Sequence, residues 1–259
     1  MLSESEIHVW QAFLDFEQSA LRQFESVLSA DEKARAARFR FARDREHFVA
    51  ARGILRELIG HYQRRPPSAI RFSYGPEAKP TLQLEYGQLP IQFNLSHSHG
   101  LAVFALAHGR EVGIDVELIQ PSLAAEETAK RFFSRLEIEE LHSLPAAMRP
   151  EGFFLCWTRK EAYAKARGKG LNIPLDSFSV SLTPGQQERL RSADSDRWRL
   201  RSFQPVPGFV GAIVGEGQHW ELRFREWMPR KESLKSSSDR TDPCAPPRGC
   251  ELLLSSLNA

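Results

Sequence analysis

Cysteine is scarce: the 259 residues hold Cys156, Cys244 and Cys250, an odd count with no metal-ligand spacing. That argues against a disulfide framework or a cysteine metal site and predicts a reduced, cytoplasmic protein. An excess of one charge is missing too. Lys+Arg 35 against Asp+Glu 33 leaves a net charge of +2, so nothing in the overall balance draws the chain to nucleic acid. Apolar runs stop short of membrane-spanning length, and the start Met1-Leu2-Ser3-Glu4-Ser5-Glu6 is acidic without an apolar signal core. There is no Gly-x-Ser-x-Gly elbow, so neither Ser96 nor Ser98 reads as a nucleophile. What is present is 41% hydrophobic and 26% charged. This suffices for one large domain or two small ones, and is ordinary for a soluble protein.

Hydrophobic periodicity predicts an opening strand at Ile7–Phe13. A helix start follows at Ser29-Ala30-Asp31-Glu32, with acids at the positive end of its dipole. Phe48, Ala51, Leu55, Leu58 and Ile59 recur at helical spacing until Pro66-Pro67. Strands are expected at Ile70–Ser73, Ile91–Leu95, Leu101–Ala107 and Val112–Leu118, with Gly109-Arg110-Glu111 as a hairpin connecting the last two. Ser122–Leu141 reads as mostly helical. A second helix runs from Glu151 to Arg167 and is stopped by Gly168 and Gly170. Strands return at Phe178–Leu182, Trp198–Phe203, Phe209–Val214 and Trp220–Phe224. Each half thus runs helix then strands, and Gly100–Gly109 is weakly echoed by Gly208–Gly217. The fold class expected is α+β: a pseudo-twofold pair of similar subdomains, 1–118 and 119–228, with the active site in the crevice between them. The segment 229–259 turns to Lys, Ser, Pro and Arg and reads as a disordered tail.

Gly113-Ile114-Asp115-Val116-Glu117 carries the first chemistry. On a strand, Asp115 and Glu117 share the face opposite Val112, Ile114, Val116 and Leu118. Adjacent carboxylates repel, and a divalent cation removes that repulsion. Taken alone, the pair is as well explained by an exposed strand face. On the second helix Trp157, Glu161 and Lys165 fall one turn apart on one face. A solvated Glu–Lys pair is the plain reading, but the aromatic stripe it continues points to a crevice edge. Lys160 adds positive charge nearby on a different face. Three carboxylates and a lysine brought together suit Mg²⁺ plus a phosphate group. Phe93-Asn94-Leu95-Ser96-His97-Ser98-His99 leaves a strand for a turn that offers N–H groups and an imidazole to phosphate, or is simply a polar turn. Lys79-Pro80 is a stiffened loop lysine. The basic, aromatic Arg35–Arg45 stretch is read mainly as a solvated face over buried aromatics.

These segments, in this order, resemble the 4′-phosphopantetheinyl transferase superfamily, in its Sfp-type (surfactin-synthetase-activating) branch. The matching pieces are Lys79-Pro80, Phe93 to Ser98, Gly113 to Glu117, Arg131-Phe132-Phe133-Ser134, Trp157 to Lys165, Gly168-Lys169-Gly170-Leu171 and Pro174 to Phe178. They span roughly residues 5–228. The resemblance implies transfer of phosphopantetheine from coenzyme A to a serine hydroxyl on an acyl- or peptidyl-carrier protein, releasing adenosine 3′,5′-bisphosphate. It implies that Asp115, Glu117 and Glu161 hold Mg²⁺, with Mn²⁺ as the alternative, on the pyrophosphate. Lys165 matches the lysine at the reacting phosphate. Ser96 and His97 match residues gripping the coenzyme, with His97 near the 3′-phosphate. Lys79 and Pro80 match the loop over the adenine end. Arg35, or alternatively Arg38, matches a basic position at the 3′-phosphate.

Glu161 is read as ligand and base, acting directly or through a metal-bound water. Lys165 is read as phosphate clamp or proton donor, because three carboxylates push its pKa up. Leu118 to Leu123, with Phe132, Phe133 and the basic Lys130, Arg131 and Arg135, form the expected carrier contact. Length and the duplicated pattern imply a monomer, with neither nucleic acid nor membrane as partner. Two rivals stand beside this reading: a Mg²⁺-dependent phosphohydrolase, and a non-catalytic coenzyme A or nucleic-acid binding module. The acidic set speaks against the second, since carboxylates repel phosphate without a metal.

Overall fold

The computed structural model describes residues 2–74, 80–84, 89–120, 125–168 and 173–229. Its first part runs β1 (Glu6–Phe13), α1 (Gln18–Val27), α2 (Ala30–Ala36), α3 (Ala42–Gln63), β2 (Phe72–Tyr74), β3 (Pro80–Leu82), β4 (Ile91–Ser98), β5 (Leu101–His108) and β6 (Val112–Leu118). The second runs α4 (Ala125–Phe132), α5 (Arg135–Ser143), α6 (Arg149–Ala166), β7 (Ser179–Val180), β8 (Leu190–Arg191), β9 (Trp198–Phe203), β10 (Phe209–Glu216) and β11 (Glu221–Glu226).

Two sheets carry the architecture, one ordered β11-β1-β5-β4 and the other β6-β10-β9. Alternation along the strands decides what each face meets. Ala102, Phe104 and Leu106 of β5 join Phe93 and Leu95 of β4 in a core beneath α1 and α3. The other face of β5, with Leu101, Val103, Ala105 and Ala107, packs on Val112, Ile114 and Val116 of β6 and Ile213 of β10. Ala212 and Val214, on the far side of β10, pack under α6 with Trp157 and Tyr163. The order is therefore helix, sheet, sheet, helix: an α+β fold in which β5 and β10 are buried on both faces. That is why both read as unbroken apolar runs, and why Gly100–Gly109 and Gly208–Gly217 look alike. The halves are not closed units, because β11 returns to the first sheet and pairs parallel with β1 (Glu6↔Glu221, Gln11↔Glu226).

Four sequence expectations are corrected. β5 and β6 do not form a hairpin. The edges of β5 are taken by β1 and β4, so Gly109-Arg110-Glu111 carries the chain to the other sheet, where β6 pairs with β10. The stretch 122–141 is not one helix. Ser134 and Glu137 form a capping box that starts α5 afresh. The strand expected at Ile70–Ser73 begins only at Phe72, because Pro67–Ala69 forms a 3₁₀ turn first. The one expected at Phe178–Leu182 shortens to Ser179–Val180. Gly170 and residues 230–259, where the tail was expected, lie outside the described residues. Among those described, no helix is long and apolar enough to cross a membrane.

Candidate active site

The site forms where two sheet edges meet. β4 is the edge of the first sheet and β6 the edge of the second. Because Val112, Ile114 and Val116 face the sheet–sheet core, Gly113, Asp115 and Glu117 face α6. A Cβ at Gly113 would strike the Ala162 carbonyl and the Ala166 amide nitrogen. Only glycine allows α6 to lie this close to β6, and the approach brings Lys165 onto Asp115.

Lys165 Nζ donates to Asp115 Oδ1 at 2.7 Å and to Ser96 Oγ at 3.3 Å. Ser96 Oγ donates to the same Oδ1 at 2.7 Å. Ser98 Oγ donates to Glu117 Oε2 at 2.7 Å. Asp115 and Glu161 are buried, at 0% and 1% exposure. Asp115 Oδ2, Glu161 Oε1 and Trp157 Nε1 are buried with no hydrogen-bond partner. Such groups are expensive to leave unpaired. Trp157 is fixed edge-on to Phe132 and stacked on Phe153, with centroids 5.6 and 6.5 Å apart.

The electrostatics follow from burial and crowding. Burial first, then the charge of Asp115, push Glu117 up to about 8. Burial also raises Glu161 to about 7, with Lys165 holding it down and Asp115 adding to the rise. For Lys165 burial disfavours the charge, but Asp115 and Glu161 outweigh it, and its pKa stands above the ordinary lysine value. The lysine therefore remains an ammonium, and the crowded Glu117 and Glu161 carboxyls hold their protons to higher pH than exposed ones would. Among the described residues no three His, Cys, Asp or Glu side chains converge as a ready-made ligand group, since Asp115 and Glu117 are each turned to a β4 serine. The unpartnered oxygens of Asp115 and Glu161, in this crowded acidic setting, nevertheless fit a hard divalent cation.

The opposite face of β4 is basic. His97 follows Phe93 and Leu95 on the side toward α3, and burial together with His47, Lys165 and Arg52 pushes it down to about 4, leaving it neutral at pH 7. Arg52 is 2% exposed and its Nη1 has no partner. Arg35 and Arg52 each place the guanidinium carbon 5.6 Å from the Phe48 ring centroid. Pro80 is buried and pairs with Tyr74 across β2–β3, and Tyr74 is raised by burial and lowered by Arg52. One strand thus separates an acidic cluster from a basic one.

The structure brings Ser96, Asp115, Glu117, Glu161 and Lys165 together. His97 and Arg35 lie on the basic side with Arg52, Arg38 is exposed, and Lys79 is outside the described residues. Ser96 is buried and its hydroxyl donates to Asp115. Sequence reasoning missed Arg52 and Ser98. An arginine within the apolar stretch Phe48–Ile59 was the available signal for the first. The second had none, because its partner is nineteen residues away on another sheet. Phe133 is core, as expected of one of the two phenylalanines, and Phe132 is partly buried.

Comparison with known proteins agrees over both halves. A family model described as 4′-phosphopantetheinyl transferase superfamily matches residues 111–214, and another, described as 4′-phosphopantetheinyl transferase, N-terminal, matches residues 15–108. The chain is 39% identical to the 4′-phosphopantetheinyl transferase HetI of Nostoc sp. over 86% of its own length and 93% of the relative's. It is 32% identical to the 4′-phosphopantetheinyl transferase Sfp of Bacillus subtilis, covering 74% and 83% of the two chains. Among solved structures, the Chronobacterium ammoniagenes ACPS-CoA complex is matched at 17% identity over 42% of this chain and 98% of that one, with a TM-score of 0.33.

Proposed function

The chain belongs to the 4′-phosphopantetheinyl transferase superfamily, on its Sfp-type branch, and from that premise we propose how its own residues transfer phosphopantetheine from coenzyme A to a carrier-protein serine. The observation that carries the assignment is the pair of buried, unpartnered acceptors, Asp115 Oδ2 and Glu161 Oε1, beside an ammonium held by Asp115. Asp115, Glu117 and Glu161 would hold Mg²⁺, or Mn²⁺ in its place. Bound there, the cation supplies positive charge to the carboxylates and to the pyrophosphate.

The remaining roles follow from charge. On the basic side of β4, Arg35 and Arg52 take the 3′-phosphate end of the coenzyme, with neutral His97 offering a ring N–H. Lys79 and Pro80 border the adenine end. The serine oxygen forms a bond to the β-phosphorus, and the bond to the adenosine 3′,5′-bisphosphate oxygen breaks. Lys165, kept charged by its neighbours, donates hydrogen bonds to the phosphate oxygens as their charge shifts. Glu161, with a pKa near 7, is placed to accept the serine proton. The Ser96 hydroxyl holds Asp115 in place. No covalent enzyme intermediate is needed, so positioning and electrostatics supply the acceleration. The protein acts as a cytoplasmic monomer whose halves 1–118 and 119–228 exchange strands, β6 joining the second sheet and β11 the first, and the carrier docks beside α4 and Phe132.

Intact-mass measurement of apo acyl- and peptidyl-carriers with coenzyme A and Mg²⁺ tests this. Wild type adds one phosphopantetheine, and Glu161→Gln, still folded by circular dichroism, adds none. Near-normal transfer by Glu161→Gln would remove Glu161 from the mechanism. Bisphosphate release without a carrier would favour hydrolysis.

A further inference from the structure

β4 and β6 lie side by side but belong to different sheets, so no strand pairing joins them. Side chains on one face of β4 make the link. Asn94 Oδ1 accepts from the Ile114 amide at 2.9 Å. Ser96 holds Asp115, and Ser98 holds Glu117 and also accepts from the Leu118 amide at 3.4 Å. Residues 94, 96 and 98 alternate along the strand and grip successive positions of β6.

Ser98 is the best defined of the three. It has one hydroxyl hydrogen, and with Glu117 ionised, as it would be on a cation, this goes to Glu117 Oε2. His99 Nδ1 lies 3.0 Å from Ser98 Oγ, so Nδ1 must carry a hydrogen and donate it. His99 Nε2 is then an acceptor, and Gln120 Nε2 donates to it at 2.6 Å. Donation therefore runs one way, from Gln120 to His99 to Ser98 to Glu117. Each member fixes the rotor of the next, and Ser98 is 7% exposed, where water competes poorly for its hydrogen.

Resting on the divalent-cation reading of the site, we infer that Ser98 is a positioning residue. It commits Oε2 of Glu117 and so presents Oε1 to the cation, with His99 and Gln120 holding Ser98 in that orientation. Outer partners of this kind typically change metal affinity by about 10- to 100-fold.

The test uses the isosteric pair Ser98→Thr and Ser98→Val, which share a shape and differ in the hydroxyl, with Ser98→Ala beside them. Mn²⁺ binding to the full chain is read by electron paramagnetic resonance or calorimetry, and kcat and the KM for coenzyme A at saturating Mn²⁺ are read separately. The inference expects Thr to bind Mn²⁺ like wild type. It expects Val and Ala to bind about tenfold or more weakly, with the KM for coenzyme A unchanged. Equal Mn²⁺ affinity for Thr and Val overturns it, and so does a loss that follows the melting temperature instead of the hydroxyl. Asp115→Ala separates the two levels. If wild type and Asp115→Ala bind Mn²⁺ alike, the cation reading itself fails and takes the inference with it. If Asp115→Ala loses the ion while Val and Thr match, only the role of Ser98 fails.

Discussion

Lys160→Met is expected to cost about 3–5 kcal/mol of stability, the usual loss when one member of a buried ion pair is removed. Lys160 precedes the site residue Glu161 but faces away from it. Its ammonium is 0% exposed and lies 2.8 Å from Glu137 Oε2, itself 1% exposed. Nζ also donates to the Leu175 and Phe178 carbonyls at 2.6 and 2.7 Å, and sits 4.3 Å from the Phe178 ring centroid. Methionine fills the volume but leaves two carbonyls without a donor and a buried carboxylate without its counter-charge. Glu137 would keep the Ser134 and Val180 amides, at 2.7 Å each, which sets the loss short of complete exposure of the charge. For a chain of this size, the loss lowers the melting temperature by roughly 6–20 °C. Urea denaturation measures it. The double variant Lys160→Met/Glu137→Gln should recover about 1–2 kcal/mol, because glutamine removes the buried charge, although its one carbonyl oxygen can accept from only one of the two amides. A single-variant loss below about 1 kcal/mol, or no recovery in the double, would refute the view of Lys160 as the pin holding α5, α6 and the 175–178 turn together.

Three other outcomes follow. Gly113→Ala forces α6 off β6 and should cost about 1–3 kcal/mol while lowering kcat by moving Lys165 from Asp115; unchanged kcat would argue that the close approach is incidental. Glu117 and Glu161 have folded pKa values of about 8 and about 7, above the ordinary glutamate value of 4.5. The folded state therefore binds more protons than the unfolded chain between pH 4.5 and about 8, and stability falls as pH rises through that window. Calorimetry of metal-free protein should show this fall, Glu117→Gln should flatten it, and Mg²⁺ should raise the melting temperature more at its alkaline end. Arg35→Ala should raise the KM for coenzyme A about tenfold, the scale of a lost charge-assisted hydrogen bond, and leave dephospho-coenzyme A untouched; equal effects on both would move Arg35 away from the 3′-phosphate.

The features legible in the sequence were those with a local period. Asp115 and Glu117 stood out because a strand repeats every two residues, and Trp157, Glu161 and Lys165 because a helix repeats about every four. The misreadings occurred where tertiary competition decides. Gly109-Arg110-Glu111 is short enough for a hairpin, but β1 and β4 occupy both edges of β5, and no local pattern announces that. The break at Ser134 was visible in Ser134-Arg135-Leu136-Glu137, a capping-box pattern, and was hidden by the apolar Phe132-Phe133 just before it. The roles of Ser96 and Ser98 depend on how one sheet edge meets another, so serines that read as a turn became the link between the two sheets.

The return of β11 to β1 has a consequence in time. Synthesis proceeds at about 5–20 residues per second, so the partner of β1 emerges roughly 10–40 s after β1 itself. During that interval β1 presents a bare parallel-pairing edge, Glu6 to Gln11, on an otherwise collapsing first half. Open edges of this kind recruit other strands. A charged rim of Glu6, and the short life of the exposure, are what stand between a nascent chain and its neighbours on the same message. The last strand among the described residues therefore acts as a seal on β1, and the ribosome delivers that seal long after the edge it covers.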